Sequence, residues 1–124
     1  MAQHFKDLIA WQKSMALVRD VYAVTEAFPK DEVFGLRSQI RRCAVSIPSN
    51  IAEGQARFSP AEFQRFLRTA KGSAAELETQ VILAQQLGYI HESQTRTLEA
   101  AIAEVGRLIS GLLNSLANRK SAGL

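Results

Sequence analysis

The stretch Phe58-Ser59-Pro60-Ala61-Glu62-Phe63-Gln64-Arg65-Phe66, continued as far as Leu87-Gly88, holds the start, body and stop of one long helix. Ser59 offers a hydroxyl at the N-cap, Pro60 fits the first helical position and Glu62 places a carboxylate at N3. Phe58 and Phe63 stand before the cap and one turn inside it, the spacing of a hydrophobic staple. Phe66, Ala70, Ala74, Leu77, Val81 and Ala84 then recur every three or four residues, the signature of a single buried helix face. Gly88 is a natural left-handed stop.

Working outward, the same period predicts three further helices. Residues 60–87 are preceded by a segment over 32–54 whose stripe is Leu36, Ile40, Cys43, Ile47 and Ile51. Pro48 lies inside it and cannot donate to the carbonyl of Ala44, so a bend is expected there; the stripe continues beyond, which argues against a stop. An earlier helix spans 7–28, with one stripe of Leu8, Trp11, Met15, Val18 and Tyr22 and a second of Leu17, Val21, Val24 and Phe28. Its wide apolar face suits a helix with more than one neighbour, and Trp11, Tyr22 and Phe28 fit either the core or a contact with another subunit. The last helix spans 93–117, capped by Ser93, with Leu98, Ile102, Val105, Ile109, Leu112 and Leu116 inward; residues 118–124 read as a frayed tail. Long helices joined by short connections must alternate in direction. The fold expected is all-α, a single domain over 1–124 forming an antiparallel up-down-up-down four-helix bundle with its second helix kinked near Pro48.

The chain has 124 residues, 47% hydrophobic and 22% charged, with a formal charge of +3. That length holds one core and leaves no room for a separate cofactor domain. Cys43 is the single cysteine, so no internal disulfide can form, and a reducing cytoplasm is the expected compartment. The acid of Met1-Ala2-Gln3-His4-Phe5-Lys6-Asp7 falls where a signal peptide would begin its apolar core, and no run of about 18 apolar residues lacks a charge, so no membrane contact is expected.

Catalysis would require a nucleophile beside a base, a pair of carboxylates in a cleft or metal ligands at matching intervals. The sequence offers none of these, so the reading is non-enzymatic, with no metal and no cofactor. His4 and His91 fall near helix ends without Glu-x-x-His or His-Glu-x-x-His spacing and read as surface residues. The scattered glycines make no phosphate loop, and Gly72 reads as a point of close helix contact.

Charge is unevenly distributed. Between Arg37 and Lys71 there are seven bases and two acids, a net +5, against −2 for the remainder. Helices two and three therefore form a basic hairpin, the electrostatic footprint of phosphate binding, with Arg37, Arg41, Arg42, Arg57, Arg65 and Arg68 as candidate RNA or DNA contacts. Few aromatics interleave with them, so contact would fall on backbone phosphate, independent of base sequence. Folding the hairpin about Ala56-Arg57-Phe58 also places Arg41 near Ser73 and Glu76, and Arg37 near Glu76 and Glu78, where interhelical pairing competes with ligand binding. Ser46, Ser49, Asn50 and Glu53 gather around Pro48 opposite Arg65 and Arg68; with Ser73 and Glu76 they read as a structural polar network serving the freed carbonyl.

The stretch Ser46-Ile47-Pro48-Ser49-Asn50-Ile51-Ala52-Glu53-Gly54 resembles the signature of the 23S rRNA intervening-sequence protein family. Leu8-Ile9-Ala10-Trp11-Gln12-Lys13, Phe28-Pro29, Phe34 to Arg42 and Gly72 to Glu78 match its pattern in order, so the resemblance reaches to about Leu116. It implies a cytosolic four-helix bundle that assembles as a homopentamer and has no established enzymatic activity. Some members are encoded inside insertions of ribosomal RNA genes. A related branch, the accessory variability determinant of diversity-generating retroelements, binds nucleic acid and a reverse transcriptase; the resemblance does not select between these contexts, so a reverse transcriptase is an expected partner only in a retroelement setting. The alternative is a protein-interaction adaptor with no nucleic-acid role. For the cap itself, Ser59→Ala is expected to cost about 1 kcal/mol in chemical denaturation.

Overall fold

The computed structural model describes residues 4–121; residues 1–3 and 122–124, on which the first residues of the N-terminal reading and the end of the expected frayed tail fall, lie outside the described residues. Four helices follow one another: α1 (Ile9–Thr25), α2 (Leu36–Ala56), α3 (Pro60–Gln86) and α4 (Glu92–Ser121), with short 3-10 turns at Phe5–Asp7 and Lys30–Glu32. Each packs on two neighbours, in the ring α1-α2-α3-α4, so the architecture is the four-helix bundle expected. α2 runs unbroken through Pro48, as its uninterrupted stripe required.

The buried stripes of α2, α3 and α4 follow the periods read from sequence. On α1 the balance shifts. Ala10, Ser14, Leu17, Val21 and Thr25 are its buried residues, while Trp11 and Val18 pack half-buried at the margin and Tyr22 is exposed. Small and hydroxyl residues thus carry the innermost phase. Their hydroxyls are satisfied within the helix, Ser14 Oγ donating to the Trp11 carbonyl and Thr25 Oγ1 to the Val21 carbonyl.

Several boundaries differ from the expected ones, each for a local reason. α1 ends at Thr25 rather than Phe28, and α2 begins at Leu36 rather than near Glu32 because the intervening residues form a 3-10 turn. The Glu32 carboxylate, four residues upstream, accepts the Leu36 N–H at 3.0 Å and caps α2 from outside. It also accepts the Tyr89 hydroxyl at 2.8 Å, tying the α1–α2 joint to the α3–α4 joint; these bonds, the Leu36 N–H first, hold its pKa below the ordinary carboxylate range. At the head of α3, Ser59 Oγ accepts the Glu62 N–H as expected. Glu62 turns to Arg65 instead of reaching back, and Phe58, in a left-handed conformation at φ 54°, is 77% exposed, so the staple buries little.

α3 stops as predicted. Gly88 has φ 81°, the Tyr89 N–H bonds the Ala84 carbonyl and the Gly88 N–H bonds the Gln85 carbonyl, a Schellman motif. α4 begins at Glu92, so Ser93 is inside its first turn rather than the cap. The cap is built from His91, whose N–H donates to Gln94 Oε1 at 2.9 Å. α4 then continues through the expected tail to Ser121. Among the described residues it is the one helix long and apolar enough to cross a bilayer by length and composition, though it carries Arg96, Glu99, Glu104 and Arg107 and packs on α1 and α3.

The close helix contact expected at Gly72 is found at Gly54. A Cβ on Gly72 would meet nothing within 4 Å, whereas one on Gly54 would stand 2.6 Å from Phe66 Cβ and 3.1 Å from Phe63 Cδ1. The two glycines predict opposite outcomes in urea melts. Gly72→Ala, exposed within a helix, should stabilise by about 0.5–1 kcal/mol, and Gly54→Ala should destabilise by about 1–3 kcal/mol through overpacking.

Candidate nucleic-acid interface

The six candidate arginines do not form one continuous face. Arg37 and Arg41 are one turn apart on α2 and turn toward α1, away from α3. Arg41 Nε donates to Thr25 Oγ1 at 2.9 Å, and its Nη2 donates to the Tyr22 carbonyl and to Glu26 Oε2, both at 3.1 Å. Its guanidinium also lies 4.3 Å from the Tyr22 ring centroid. Arg37 Nη2 reaches the same Glu26 oxygen at 3.1 Å. The interhelical pairing expected with Ser73, Glu76 and Glu78 is therefore made with α1 instead. α1 lacks a basic residue in its last turn, and the fork of Arg41 supplies donors to that helix end.

The second group clusters at the α2–α3 turn. Arg57 pairs with Glu53 at 3.2 Å and Arg65 with Glu62 at 3.0 Å, both partly exposed. Arg57 and Arg65 also stand over the Phe66 ring, 5.2 and 4.5 Å from its centroid. The Arg65 bond holds the Glu62 carboxyl below its ordinary range and raises the guanidinium in return. Arg42 and Arg68 are exposed, and neither makes an ion pair among the described residues. Lys71 points instead toward α4 and donates to Ser110 Oγ at 2.6 Å.

The expected polar network divides in two. Ser46, Ser73 and Glu76 meet in an open groove of about 500 Å³ between α2 and α3, with Arg42 on its wall. Asn50 lies one turn on and donates to the Ser46 carbonyl at 2.7 Å, while Ser46 Oγ donates to the Cys43 carbonyl at 2.6 Å. Both bonds go to carbonyls flanking the proline turn rather than to Ala44. Glu53 belongs to the Arg57 pair. Beneath the groove, Cys43 Sγ donates to the Ser73 carbonyl at 3.1 Å; burial, reinforced by nearby Glu76, pushes its pKa up to about 11, leaving an unreactive thiol.

His4 and His91 are exposed, and among the described residues no group of three or more His, Cys, Asp or Glu side chains could hold a metal ion. Sequence reasoning missed Tyr22, Thr25, Glu26 and Glu32, the partners that fix the arginines and the joints. Thr25 was signalled only by its place on the Leu17–Val21 phase of α1.

The fold and this surface define a class: small four-helix bundles that carry a set of guanidinium groups on their surface. Residues 6–111 match the family described as 23S rRNA-intervening sequence protein, and the chain belongs to that family. Among solved structures, a protein of unknown function from the S23 ribosomal protein family of Bacteroides thetaiotaomicron is similar, with a TM-score of 0.76 at 24% identity over 85% of this chain and 98% of that one. Comparison with curated protein sequences yields no match.

The two arginine groups differ in what a lysine can replace. Arg41→Lys, which loses a forked and partly buried set of bonds, should cost about 1–2 kcal/mol in urea denaturation. Arg65→Lys, at an exposed pair, should cost less than about 0.5 kcal/mol.

Proposed function

We propose that the protein is a non-enzymatic, cytoplasmic, homo-oligomeric scaffold that contacts RNA or DNA through backbone phosphate. The observation that carries this reading is the outward set Arg42, Arg57, Arg65 and Arg68 on α2 and α3, of which Arg42 and Arg68 have no ionic partner among the described residues. The pairs at Arg57 and Arg65 are exposed and local, a kind that contributes at most about 1 kcal/mol, so a phosphate can displace their carboxylates. Family membership supports RNA as the polyanion and a pentameric ring as the assembly. A ring repeats each weak arginine contact and raises the avidity of the whole.

Exposed apolar side chains favour the second reading, an adaptor for proteins. Phe34 is 97% exposed and Phe58 77%, and Ile82, Leu83 and Leu87 are also exposed on α3 and its end. The same residues serve equally as contacts between subunits.

Titration of a labelled 20-nucleotide RNA at several salt concentrations separates the two readings, with light scattering to give the assembly state. The expected result is binding that weakens steeply with salt, and a triple change of Arg42, Arg65 and Arg68 to Gln that reduces the logarithmic salt slope by about two to three while affecting all sequences alike. Binding that is absent at low salt, or insensitive to it, refutes the phosphate reading.

A further inference from the structure

Glu26 stands at the C-cap of α1, the end of a helix where a carboxylate is disfavoured by the peptide dipoles. Its side chain is 72% exposed, and one oxygen, Oε2, receives both Arg37 Nη2 and Arg41 Nη2 at 3.1 Å. The two arginine side chains are only 20% and 18% exposed, and Arg41 is further fixed by Thr25, the Tyr22 carbonyl and the Tyr22 ring. An exposed acid is thus held by two largely covered bases. Beside them an open groove of about 570 Å³ runs between α1 and α2, with Arg37, Arg41 and Arg42 and the Ser38 hydroxyl along it. Three arginines and a serine line that space beside Tyr22, Val33 and Val45, and they carry the donor types that a tetrahedral oxyanion requires.

We propose that this groove is a seat for a single phosphate group and that Glu26, which holds two of its arginines from beside it, is a built-in competitor that the phosphate displaces. This deepens the phosphate-binding reading above and rests on it for the source of the phosphate. The exchange is favoured by geometry. Glu26 offers one oxygen to the two arginines, whereas a phosphate offers three or four, enough to engage Arg42 and Ser38 on the same α2 wall of the groove as well.

The test compares the wild type with Glu26→Gln, which keeps the shape and an acceptor oxygen, and with Asp20→Asn, which adds the same charge on the side of α1 facing α4. In the first arm, inorganic phosphate is titrated while the arginine Nε–H resonances are followed by NMR. The seat predicts shifts at Arg37 and Arg41 and a midpoint about three- to tenfold lower in Glu26→Gln, the scale of two exposed pairs removed, with Asp20→Asn matching the wild type. Equal midpoints in all three proteins, or no shift at Arg37 and Arg41, overturn the proposal. In the second arm the labelled 20-nucleotide RNA replaces phosphate. Tighter binding by Glu26→Gln alone, with a salt slope steeper by about one, identifies a nucleic-acid phosphodiester as the ligand. A positive first arm without that gain upholds the seat for free phosphate and denies it to nucleic acid. Arg42 lines the groove, so it is a double change of Arg65 and Arg68 to Gln whose failure to weaken RNA binding bears on the outward face alone.

Discussion

The narrow approach of α2 to α3 at Gly54 is the constraint from which the rest of the molecule follows. No Cβ fits there against Phe66, and Ala44, Ala70 and Ala74 add small buried residues among the larger ones of the two helices, which part around an open groove nearer Arg42. Close-packed interiors have no slack for a long polar side chain, and the arginines of α2 and α3 lie outward or sideways. The approach of the two helices also brings the Cys43 thiol onto the Ser73 carbonyl, a partly buried bond at the base of the open groove between them.

Which way each arginine goes is a matter of helical phase. Arg37 and Arg41 share the side of α2 that faces α1, and the end of α1 has carbonyl and hydroxyl acceptors without basic residues of its own. Arg42, one residue on, is turned about 100° and faces water. One residue type therefore performs two tasks. The pair facing α1 fastens helices through directional bonds in a partly desolvated site, where a guanidinium fork is worth more than a point charge. The outward group adds little to stability, because exposed pairs are screened, and for the same reason its charge is available to a partner.

The apolar stripes of α2, α3 and α4 were legible because burial on one face leaves a period of three to four in the residues themselves. α1 was less legible because Ala10, Ser14 and Thr25 occupy its innermost phase, where small size and internally bonded hydroxyls replace apolar bulk. The joints were hidden for another reason. Glu32 caps α2 from a 3-10 turn four residues upstream and Gln94 caps α4 from inside, so neither matches the pattern of a hydroxyl just before the helix. Gly54 and Gly72 are indistinguishable in sequence, since closeness depends on what the neighbouring helix presents at that level. The partner of Arg41 was misassigned on similar grounds: every helix of a four-helix ring has two neighbours, and the period of its own stripe does not say which one a flanking arginine will meet.

The separation of the two arginine groups sets the scale of any polyanion that engages both. Arg37 lies in the first turn of α2 and Arg57 is its C-cap, twenty residues on and about 30 Å away at 1.5 Å per residue. A nucleic-acid strand rising about 3.4 Å per step covers that span with about nine phosphates. A strand laid along α2 could touch both groups of one subunit, whereas a shorter one could touch only one and would depend on neighbouring subunits for its affinity. If the proposed phosphate contacts are made, the geometry of a single bundle makes the length of the polyanion, more than its sequence, the variable to which such a surface would respond.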